Sequence, residues 1–365
     1  MQNKNHNLNH FKNKKIIITG HTGFKGAWLA FWLNLLGAEV YGISLKPTFR
    51  NLLFNILNLK KIIKKSFIMD IKKKNKIEKI FLTIKPDYIF HLAAQAIVKE
   101  SYFSPLKTWE TNLIGTVNVL EICKKLKKQC NIVMITSDKC YKNLEKVDGY
   151  LETDELGGSD PYSASKASAE LAIHSYYESF FCKKEHQNIR LASVRAGNVI
   201  GGGDWSEGRI VPDCIKSWIK GKKVLIRSKN SVRPWQHVFD ALHGYLLVAI
   251  KLKKKKKISG NSFNFGPDLN KKYTVKKLTQ RLSKIWVKKN LLFKFTNHNA
   301  FKETKLLQLN TKKSKKLLNW KSKLTIQESV DITSNWYYAN FILKKNMQEF
   351  STNQIKEYMN VSKKN

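Results

Sequence analysis

Five residues in two short stretches could together remove a proton from an alcohol. The first stretch is Ser137-Asp138-Lys139, and the second is PYSASK, which contains Tyr162 and Lys166. Tyr162 and Lys166 are four residues apart, so on a helix they share one face. A cation beside a phenol favours the phenolate, and a phenolate can accept a hydroxyl proton. We therefore predict that all five are catalytic, although a YxxxK pair is informative only beside a nucleotide site.

The apolar run from Asn131 to Thr136 predicts the element that positions the first stretch. Its composition is typical of a buried parallel strand. Such a strand would place Ser137 to Lys139 at its C-terminal end, where open α/β sheets bind ligands. The second stretch begins a helical pattern that runs on through Tyr176.

A dinucleotide-binding loop is predicted near the N-terminus. The β-branched run Lys15–Thr19 is followed by GHTGFKG and then by the helical run AWLAFWLNLLGA. The first glycine permits a tight turn, the second lets the backbone approach a pyrophosphate, and the third allows close helix–strand packing. The spacing is GxxGxxG rather than GxGxxG. The loop residues predicted to bind the cofactor are Gly20, Thr22, Gly23, Phe24, Lys25 and Gly26.

Further cofactor contacts are predicted where the following strands end. The second strand ends at Ser44, where an NAD site often has an acidic residue, so this position leaves NAD and NADP open. The other expected contacts are Asp70 and Ile71 beside the adenine, the small-residue loop Leu92, Ala93, Ala94 and Gln95, and Asn112 in a long helix predicted from about Pro105 to Leu126.

Composition excludes several classes of protein. The net charge is +40, but only seven of the 67 basic residues are arginine, which nucleic-acid readers favour, so we predict no nucleic-acid partner. No apolar run reaches the roughly 18–20 residues of a membrane span, and the N-terminus lacks a secretory signal. The five scattered cysteines favour a reducing compartment and no metal site.

Polar residues after the sixth predicted strand, 190–195, are candidates for substrate binding. Asn198 and Asp204 lie in the glycine-rich run AGNVIGGGDW. Because arginine is scarce, Arg209 and Arg233 are predicted to bind a diphosphate, with surface ion pairs as the alternative.

Eight motifs together resemble those of extended short-chain dehydrogenases/reductases that act on nucleotide sugars, over roughly residues 12–345. In order they are GHTGFKG, HLAAQ, GTVNVLE, ITSDKCY, PYSASKASAE, RAGNVIGGGDW, RIVPD and RPWQHV. The resemblance implies an α/β fold: a Rossmann-like doubly wound parallel sheet with a smaller C-terminal α/β substrate-binding domain. The expected division is a polar tail at 1–11, an NAD-binding domain at 12–195 plus about 236–258, a sugar-nucleotide domain at 196–235 and 259–345, and a terminal helix and tail at 346–365.

The resemblance also implies a 4,6-dehydration that uses NAD, with CDP-glucose as the expected substrate and a cytoplasmic homodimer or homotetramer as the expected form. Tyr162, assisted by Lys166, would deprotonate the hydroxyl at carbon 4 while NAD takes the hydride, and Ser137 would bind the ketone oxygen. Lys139 would remove the proton at carbon 5, which requires a neutral amine, and Asp138 would protonate the hydroxyl leaving carbon 6. The hydride would then return from NADH to carbon 6 and a proton to carbon 5, which regenerates NAD and gives a 4-keto-6-deoxy sugar nucleotide.

Three alternatives stay open at this point. One is dehydration of dTDP-glucose or GDP-mannose, and another is 4-epimerisation of a UDP-sugar. An epimerase needs neither the acid nor the second base at positions 138 and 139. A rival of another class is a protein that binds a nucleotide or a nucleic acid on the same scaffold.

Overall fold

The computed structural model describes residues 4–47, 52–226, 229–268, 273–286, 293–295 and 306–361. Its centre is a seven-stranded, all-parallel sheet in the order β3-β2-β1-β4-β5-β6-β10. The strands are β1 Lys15–Thr19, β2 Glu39–Ser44, β3 Lys65–Ile68, β4 Tyr88–His91, β5 Cys130–Ile135, β6 Ile189–Ala196 and β10 Ser262–Phe265. Two small pairs lie outside it, β7 Val199–Ile200 with β9 Gln236–His237, and β8 Val224–Ile226 with β11 Phe293–Phe295.

Helices cover both faces of the sheet. They are α1 Phe24–Leu35, α2 Leu53–Ile56, α3 Leu59–Ile62, α4 Lys74–Ile84, α5 Val98–Phe103, α6 Pro105–Trp109, α7 Gly115–Lys124, α8 Pro161–Tyr176, α9 Ile210–Ile219, α10 Val238–Lys254, α11 Val275–Ser283, α12 Lys312–Leu318, α13 Ile326–Phe341 and α14 Met347–Asn360. Single 3-10 segments occur at Lys4–Phe11, Asp138–Cys140, Lys184–His186 and Lys256–Ile258, and π-helical turns at Glu110–Ile114 and Tyr177–Phe181.

The sheet divides the interior into two large apolar clusters. Along β1, Ile16 and Ile18 belong to the cluster that contains α1 and α10, while Ile17 belongs to the cluster that contains α4 and α7. This alternation follows from the two-residue period of a strand. Both faces are therefore buried, which explains why the strands are continuous apolar runs rather than alternating ones.

The strand order reverses between β1 and β4, and this reversal places the ligand site. In open α/β sheets the crevice at such a switch point, outside the carboxyl ends of the strands, binds ligands. Gly20 follows β1, Leu92 follows β4 and Ser137 follows β5, so the predicted loops meet at this edge. The predicted fold class is confirmed.

Two details differ from the predictions. Residues 1–11 were expected to form a polar, loose tail, but Leu8 and Phe11 are buried, and His10 hydrogen-bonds through its Nε2 with the Tyr88 hydroxyl at 2.7 Å. The predicted sugar-nucleotide domain included residues 259–345, yet β10 pairs with β6 as an edge strand of the main sheet. In both cases the run of apolar side chains is too short for the sequence to reveal which element it packs against.

Within the described ranges, every helix is too short or too polar to cross a bilayer. The same residues contain no group of three or more His, Cys, Asp or Glu side chains arranged to bind a metal ion, and the five cysteines are unpaired.

Candidate active site

The loop between β1 and α1 brings backbone close to backbone. Gly20 has a φ of +80°, which favours glycine, and a Cβ there would lie 2.7 Å from the Ala93 nitrogen. A Cβ on Gly26 would lie 2.1 Å from the Gly20 carbonyl oxygen, so only glycine allows α1 to start this close to β1. Gly23 is the N-cap of α1 and supplies no side-chain cap, which leaves the first N–H groups of the helix for a ligand.

The residues predicted to surround the adenosine lie at the ends of β2 and β3. Thr22 and Ser44 are buried and their hydroxyls are 2.7 Å apart. Asp70 accepts a hydrogen bond from the Lys72 amide at 2.9 Å. Ile71 is buried against Gly115 at the start of α7, where a Cβ would meet its Cδ1 at 2.4 Å.

Asn112 connects the loop after β4 to the helix α8. It lies in the π-helical turn Glu110–Ile114 and is buried. Its Oδ1 accepts from the Gln95 amide at 2.8 Å, and its Nδ2 donates to the Gln95 carbonyl at 3.0 Å and to Ser165 Oγ at 2.9 Å. Ser165 in turn donates to the Tyr162 carbonyl at 2.7 Å. One amide therefore fixes the cofactor loop relative to the turn of α8 that carries Tyr162.

The 3-10 turn after β5 presents Ser137, Asp138 and Lys139. Ser137 caps the turn by accepting from the Lys139 amide at 3.3 Å, and its hydroxyl donates to Asp138 Oδ1 at 2.9 Å. Ser137 and Asp138 are buried, with 6% and 4% of their surface exposed, whereas Lys139 is only half-buried.

Helix α8 starts immediately before Tyr162. Asp160 is its N-cap and accepts from the Ser163 amide at 3.0 Å, and Pro161 occupies the first turn. Tyr162 and Lys166 are both buried on the same face, as their spacing predicts. Packing of α8 against the 3-10 turn brings the two predicted stretches together.

Burial dominates the electrostatics of the two α8 residues. It raises the pKa of Tyr162 to about 12, against a hydrogen bond with Ser137 and the charge of Arg209, which lower it. Burial, with the charge of Lys25, lowers the pKa of Lys166 to about 8. The sequence predicted that Lys166 favours the phenolate of Tyr162; in this structure the groups that lower the pKa of Tyr162 against burial are Ser137 and Arg209.

Lys25 lies among the same charges, although it comes from the nucleotide loop. Burial and the charge of Arg209 lower its pKa to about 8, while Asp138 and Asp204 oppose that change. The structure thus brings residues from α1, the 3-10 turn, α8 and the loop after β7 to one site.

The predicted substrate residues have different surroundings. Asp204 is buried and accepts from Arg209 at 2.9 Å and from the Ser206 hydroxyl at 2.7 Å, so Arg209 is held by an ion pair near Tyr162. Asn198 has a φ of +48° and its carbonyl accepts from the Gln236 amide at 3.2 Å. Arg233 donates to the Val232 carbonyl at 3.0 Å and lines a cleft of about 180 Å³ with Tyr273 and Lys323.

Three residues behind the site were not predicted from the sequence. Gly197 packs on Asp138, where a Cβ would lie 1.7 Å from the carboxylate. Glu170 and Arg195 form a buried ion pair of 2.8 Å beneath α8. Glu170 is four residues after Lys166, and this second step of the same helical spacing is a signal that could have identified it.

Together these residues can exchange protons at two positions of a bound substrate. A phenol that is hydrogen-bonded to a serine hydroxyl can accept the proton of an alcohol that becomes a ketone. A buried carboxyl group beside them suits a leaving hydroxyl group. The uncapped helix and the glycine backbone suit a dinucleotide.

Several known proteins are similar to this chain in sequence or in fold. The sequence matches the GDP-mannose 4,6 dehydratase family over residues 17–333. It is 38% identical to a CDP-glucose 4,6-dehydratase of Salmonella typhimurium, with 97% of this chain and 98% of that protein aligned. It is 30% identical to a dTDP-D-glucose 4,6-dehydratase of Dictyostelium discoideum, over 70% of this chain and 58% of that protein. The fold is similar to that of a dTDP-glucose 4,6-dehydratase from Bacillus anthracis in complex with NAD, with a TM-score of 0.73, 22% identity, and 90% and 97% of the two chains covered.

Proposed function

Because the chain belongs to the GDP-mannose 4,6 dehydratase family, we propose that it dehydrates a nucleotide-activated hexose and that this substrate is CDP-glucose. The product would be CDP-4-dehydro-6-deoxy-glucose and water. The choice of the cytidine nucleotide is supported by the relative that is 38% identical along nearly the whole of both chains.

One observation in particular supports elimination rather than epimerisation. Asp138 is a buried carboxyl group, 2.9 Å from the Ser137 hydroxyl, which is also bonded to Tyr162. A site that only exchanges a hydride at carbon 4 needs the phenol and the lysine but no acid beside them. A hydroxyl group that leaves carbon 6 needs an acid, because hydroxide is a poor leaving group without a proton.

The cradle of β1, Gly20, Gly26 and the uncapped α1 fits a dinucleotide, and we propose that it binds NAD. The contacts would come from the loop 20–26, Ser44, Asp70 and Ile71, the loop 92–95, and Asn112. When bound, NAD would accept the hydride of carbon 4 and return it to carbon 6, so that the product is a 6-deoxy sugar and the cofactor is regenerated. The positive charge of Lys25 beside the helix N-terminus favours the anionic pyrophosphate.

The proposed roles of the chain's own residues follow from their positions. Tyr162 would accept the proton of the hydroxyl at carbon 4, and Ser137 would donate a hydrogen bond to the ketone oxygen that forms. Lys139 would remove the proton at carbon 5. Asp138 would protonate the hydroxyl leaving carbon 6. Arg209, held by Asp204, would bind the diphosphate, and Arg233 and Asn198 would complete the nucleotide-sugar site.

A substrate panel tests this proposal. The purified protein is incubated with CDP-glucose, dTDP-glucose, GDP-mannose and UDP-glucose, and the alkaline absorbance of the 4-keto product is measured for each. We expect product from CDP-glucose at the highest kcat/KM. A 4-epimer without a 4-keto product would contradict elimination, and a preference for another nucleotide would contradict the cytidine assignment.

We further propose that two copies associate through the helices that carry Asn112 and Tyr162. Exposed apolar side chains on this side of the molecule support a contact: Phe103 and Leu106 are 71% exposed and Leu171 is 57% exposed. Light scattering of the wild type and of Leu171→Glu tests it, since a charge in an apolar interface should shift the mass toward one chain.

A further inference from the structure

A buried ion pair lies directly behind the proposed catalytic helix. Glu170 and Arg195 have only 2–3% of their side chains exposed, and Arg195 Nη2 donates to Glu170 Oε2 at 2.8 Å. Taking two charges out of water is costly, and such a pair is not by itself a source of stability. The position of the pair therefore needs a reason beyond packing.

The contacts of Glu170 join the elements that carry the catalytic residues. Thr136, the residue before Ser137, donates to its Oε1. Ser193 on β6 donates to Oε2 at 2.7 Å, and Ser262 on β10 donates at 3.3 Å. Glu170 itself belongs to α8, one turn beyond Lys166 and two turns beyond Tyr162. One carboxylate thus fixes the position of α8 relative to the end of β5.

Arg195 extends the same network toward the 3-10 turn. Its Nη1 donates to the Tyr141 hydroxyl at 2.7 Å and to the Glu152 carbonyl at 3.2 Å. Tyr141 follows the turn Asp138–Cys140 directly and stacks on Tyr150 at a ring distance of 5.0 Å. Both ends of the Ser137-Asp138-Lys139 stretch are therefore attached to this ion pair.

Glu170 also opposes the charges that disfavour a protonated Lys166. Lys25 on α1 acts against the Lys166 ammonium, while Glu170 on α8 favours it. The Cys140 thiol of the 3-10 turn is uncharged, because burial raises its pKa well above its ordinary value. From β4, His91 faces the same amine, and it is neutral at physiological pH because burial lowers its pKa to about 3. Among these groups Glu170 carries the negative charge that favours the protonated amine.

We propose that Glu170, paired with Arg195, is a positioning residue of the dehydration: it fixes Tyr162 and Lys166 relative to Ser137 and Asp138 and places a negative charge one helical turn from the Lys166 ammonium. This inference rests on the proposed function of the site. Glu170 does not contact the substrate in this proposal; it acts through Lys166 and Thr136.

The test replaces the carboxylate by its neutral isostere, Glu170→Gln. The protein is labelled with ¹³C-lysine for NMR, and the Lys166 resonance is assigned by its absence from the spectrum of Lys166→Arg. Removing the negative charge should lower the apparent pKa of Lys166 by about one unit. In the substrate assay, the alkaline limb of the pH profile should move to lower pH by the same amount, with kcat reduced by about tenfold to a hundredfold.

Glu152→Gln is the matched control. Glu152 lines the same cavity of about 250 Å³ as Glu170 and Arg195, but its carboxylate binds the Asn264 amide at 2.8 Å instead of α8 or β5. The same loss of charge there should leave the Lys166 titration and the alkaline limb within about 0.3 pH units of the wild type. A change equal to that of Glu170→Gln would show a general field effect and overturn the positioning role.

Glu170→Asp covers the case in which Glu170→Gln does not fold. It keeps the charge but shortens the reach, so kcat should fall while the Lys166 titration stays near that of the wild type. A wild-type kcat in this variant, or an unchanged titration in Glu170→Gln, overturns the inference. Lack of 4-keto product from the wild type would instead overturn the proposed function, and the titration would still decide the inference.

Discussion

Glu170 and Asp240 are two buried carboxylates, one behind the proposed chemistry and one in the C-terminal half of the chain. Burial works against the charge of both. At Glu170 the nearby Arg195 and three hydroxyl donors outweigh burial and lower the pKa. At Asp240 burial prevails and raises the pKa, although neutral donors surround the group. The difference is that a cation is hydrogen-bonded to Glu170, whereas the hydrogen-bond donors to Asp240 are neutral and the Lys323 ammonium acts on it only through its charge.

The partners of Asp240 explain what it does. It lies in the first turn of α10 and accepts from the Lys323 amide at 2.9 Å, Ser322 Oγ at 2.8 Å and the Tyr358 hydroxyl at 2.8 Å. These contacts attach the segment before α13 and the helix α14 to α10. The charge of Glu170 is thus stabilised where it can act on reacting groups. Asp240, by contrast, accepts hydrogen bonds that hold parts of the scaffold together. Changes near Glu170 should therefore affect chemistry, and changes near Asp240 should affect the stability of the fold.

The largest expected effect is that of Tyr162→Phe. Loss of the phenol should reduce kcat by about 10²–10⁴-fold, because the residue that accepts the carbon 4 proton is gone. The midpoint of thermal unfolding and the affinity for the nucleotide should change little, since the ring remains. A kcat within a few-fold of the wild type would contradict the catalytic role of Tyr162.

Asp138→Asn should separate the two halves of the reaction. Elimination should slow by about a hundredfold, because the amide cannot protonate the leaving hydroxyl group. Oxidation at carbon 4 should be affected less, so reduced cofactor should accumulate in a single turnover, visible in its absorbance. Asp148→Asn is the control, since Asp148 is exposed. Equal slowing of both steps would contradict the assigned role.

Asp240→Ala should destabilise the protein with little change in chemistry. It leaves several buried donors without an acceptor, so the free energy of unfolding should fall by about 3 kcal/mol in chemical denaturation. The folded fraction should keep kcat within roughly threefold, because distant sites are nearly independent. Asp331→Ala removes the 40%-exposed partner of Arg281 and should cost less than about 1 kcal/mol. A larger loss of kcat than of stability would contradict the division of roles.

The smallest effect, and the sharpest test of the comparison, is the pH dependence of stability. The pKa of Glu170 lies below its ordinary value of 4.5, so its contribution is present above that pH and is lost as pH falls through the folded pKa. The pKa of Asp240 lies above 3.8, so its contribution grows as pH falls toward that value. On acidification the destabilisation caused by Glu170→Gln should shrink and that caused by Asp240→Asn should grow. Each change should amount to about 1.4 kcal/mol for every pH unit that separates the folded pKa from the unfolded pKa. The free energy of unfolding is measured by urea denaturation at several pH values. The same pH dependence of the destabilisation in both variants would contradict the contrast.

The sequence predicted local elements well where pattern and chemistry coincide. Gly20 and Gly26 were correctly expected at a tight turn and a close helix–strand contact, because a backbone requirement leaves a visible residue type. Membership of the nucleotide-sugar family and the fold class were also predicted. The assigned roles of Ser137, Asp138 and Lys139 stay predictions.

What the sequence could not supply depends on distant partners. Phe11 reads as part of a polar tail until Tyr88, 77 positions later, is seen beside it at a ring distance of 5.3 Å. The burial of Lys139 could not be judged from its neighbours, and the structure leaves it half-exposed while Lys166 is buried. The pairing of Arg209 with Asp204 could have been inferred from their spacing, but not its proximity to Tyr162.

The π-helical turn that contains Asn112 has a consequence for protein engineering and for natural length variation. A π turn arises where a helix accommodates one additional residue, and each residue turns a helix by about 100°. Deleting a single residue from Glu110–Ile114 would permit an ordinary helix through α6 and α7, yet it would rotate Asn112 away from Gln95 and Ser165. Homologous chains that vary in length here should therefore change the loops on either side and leave this turn intact.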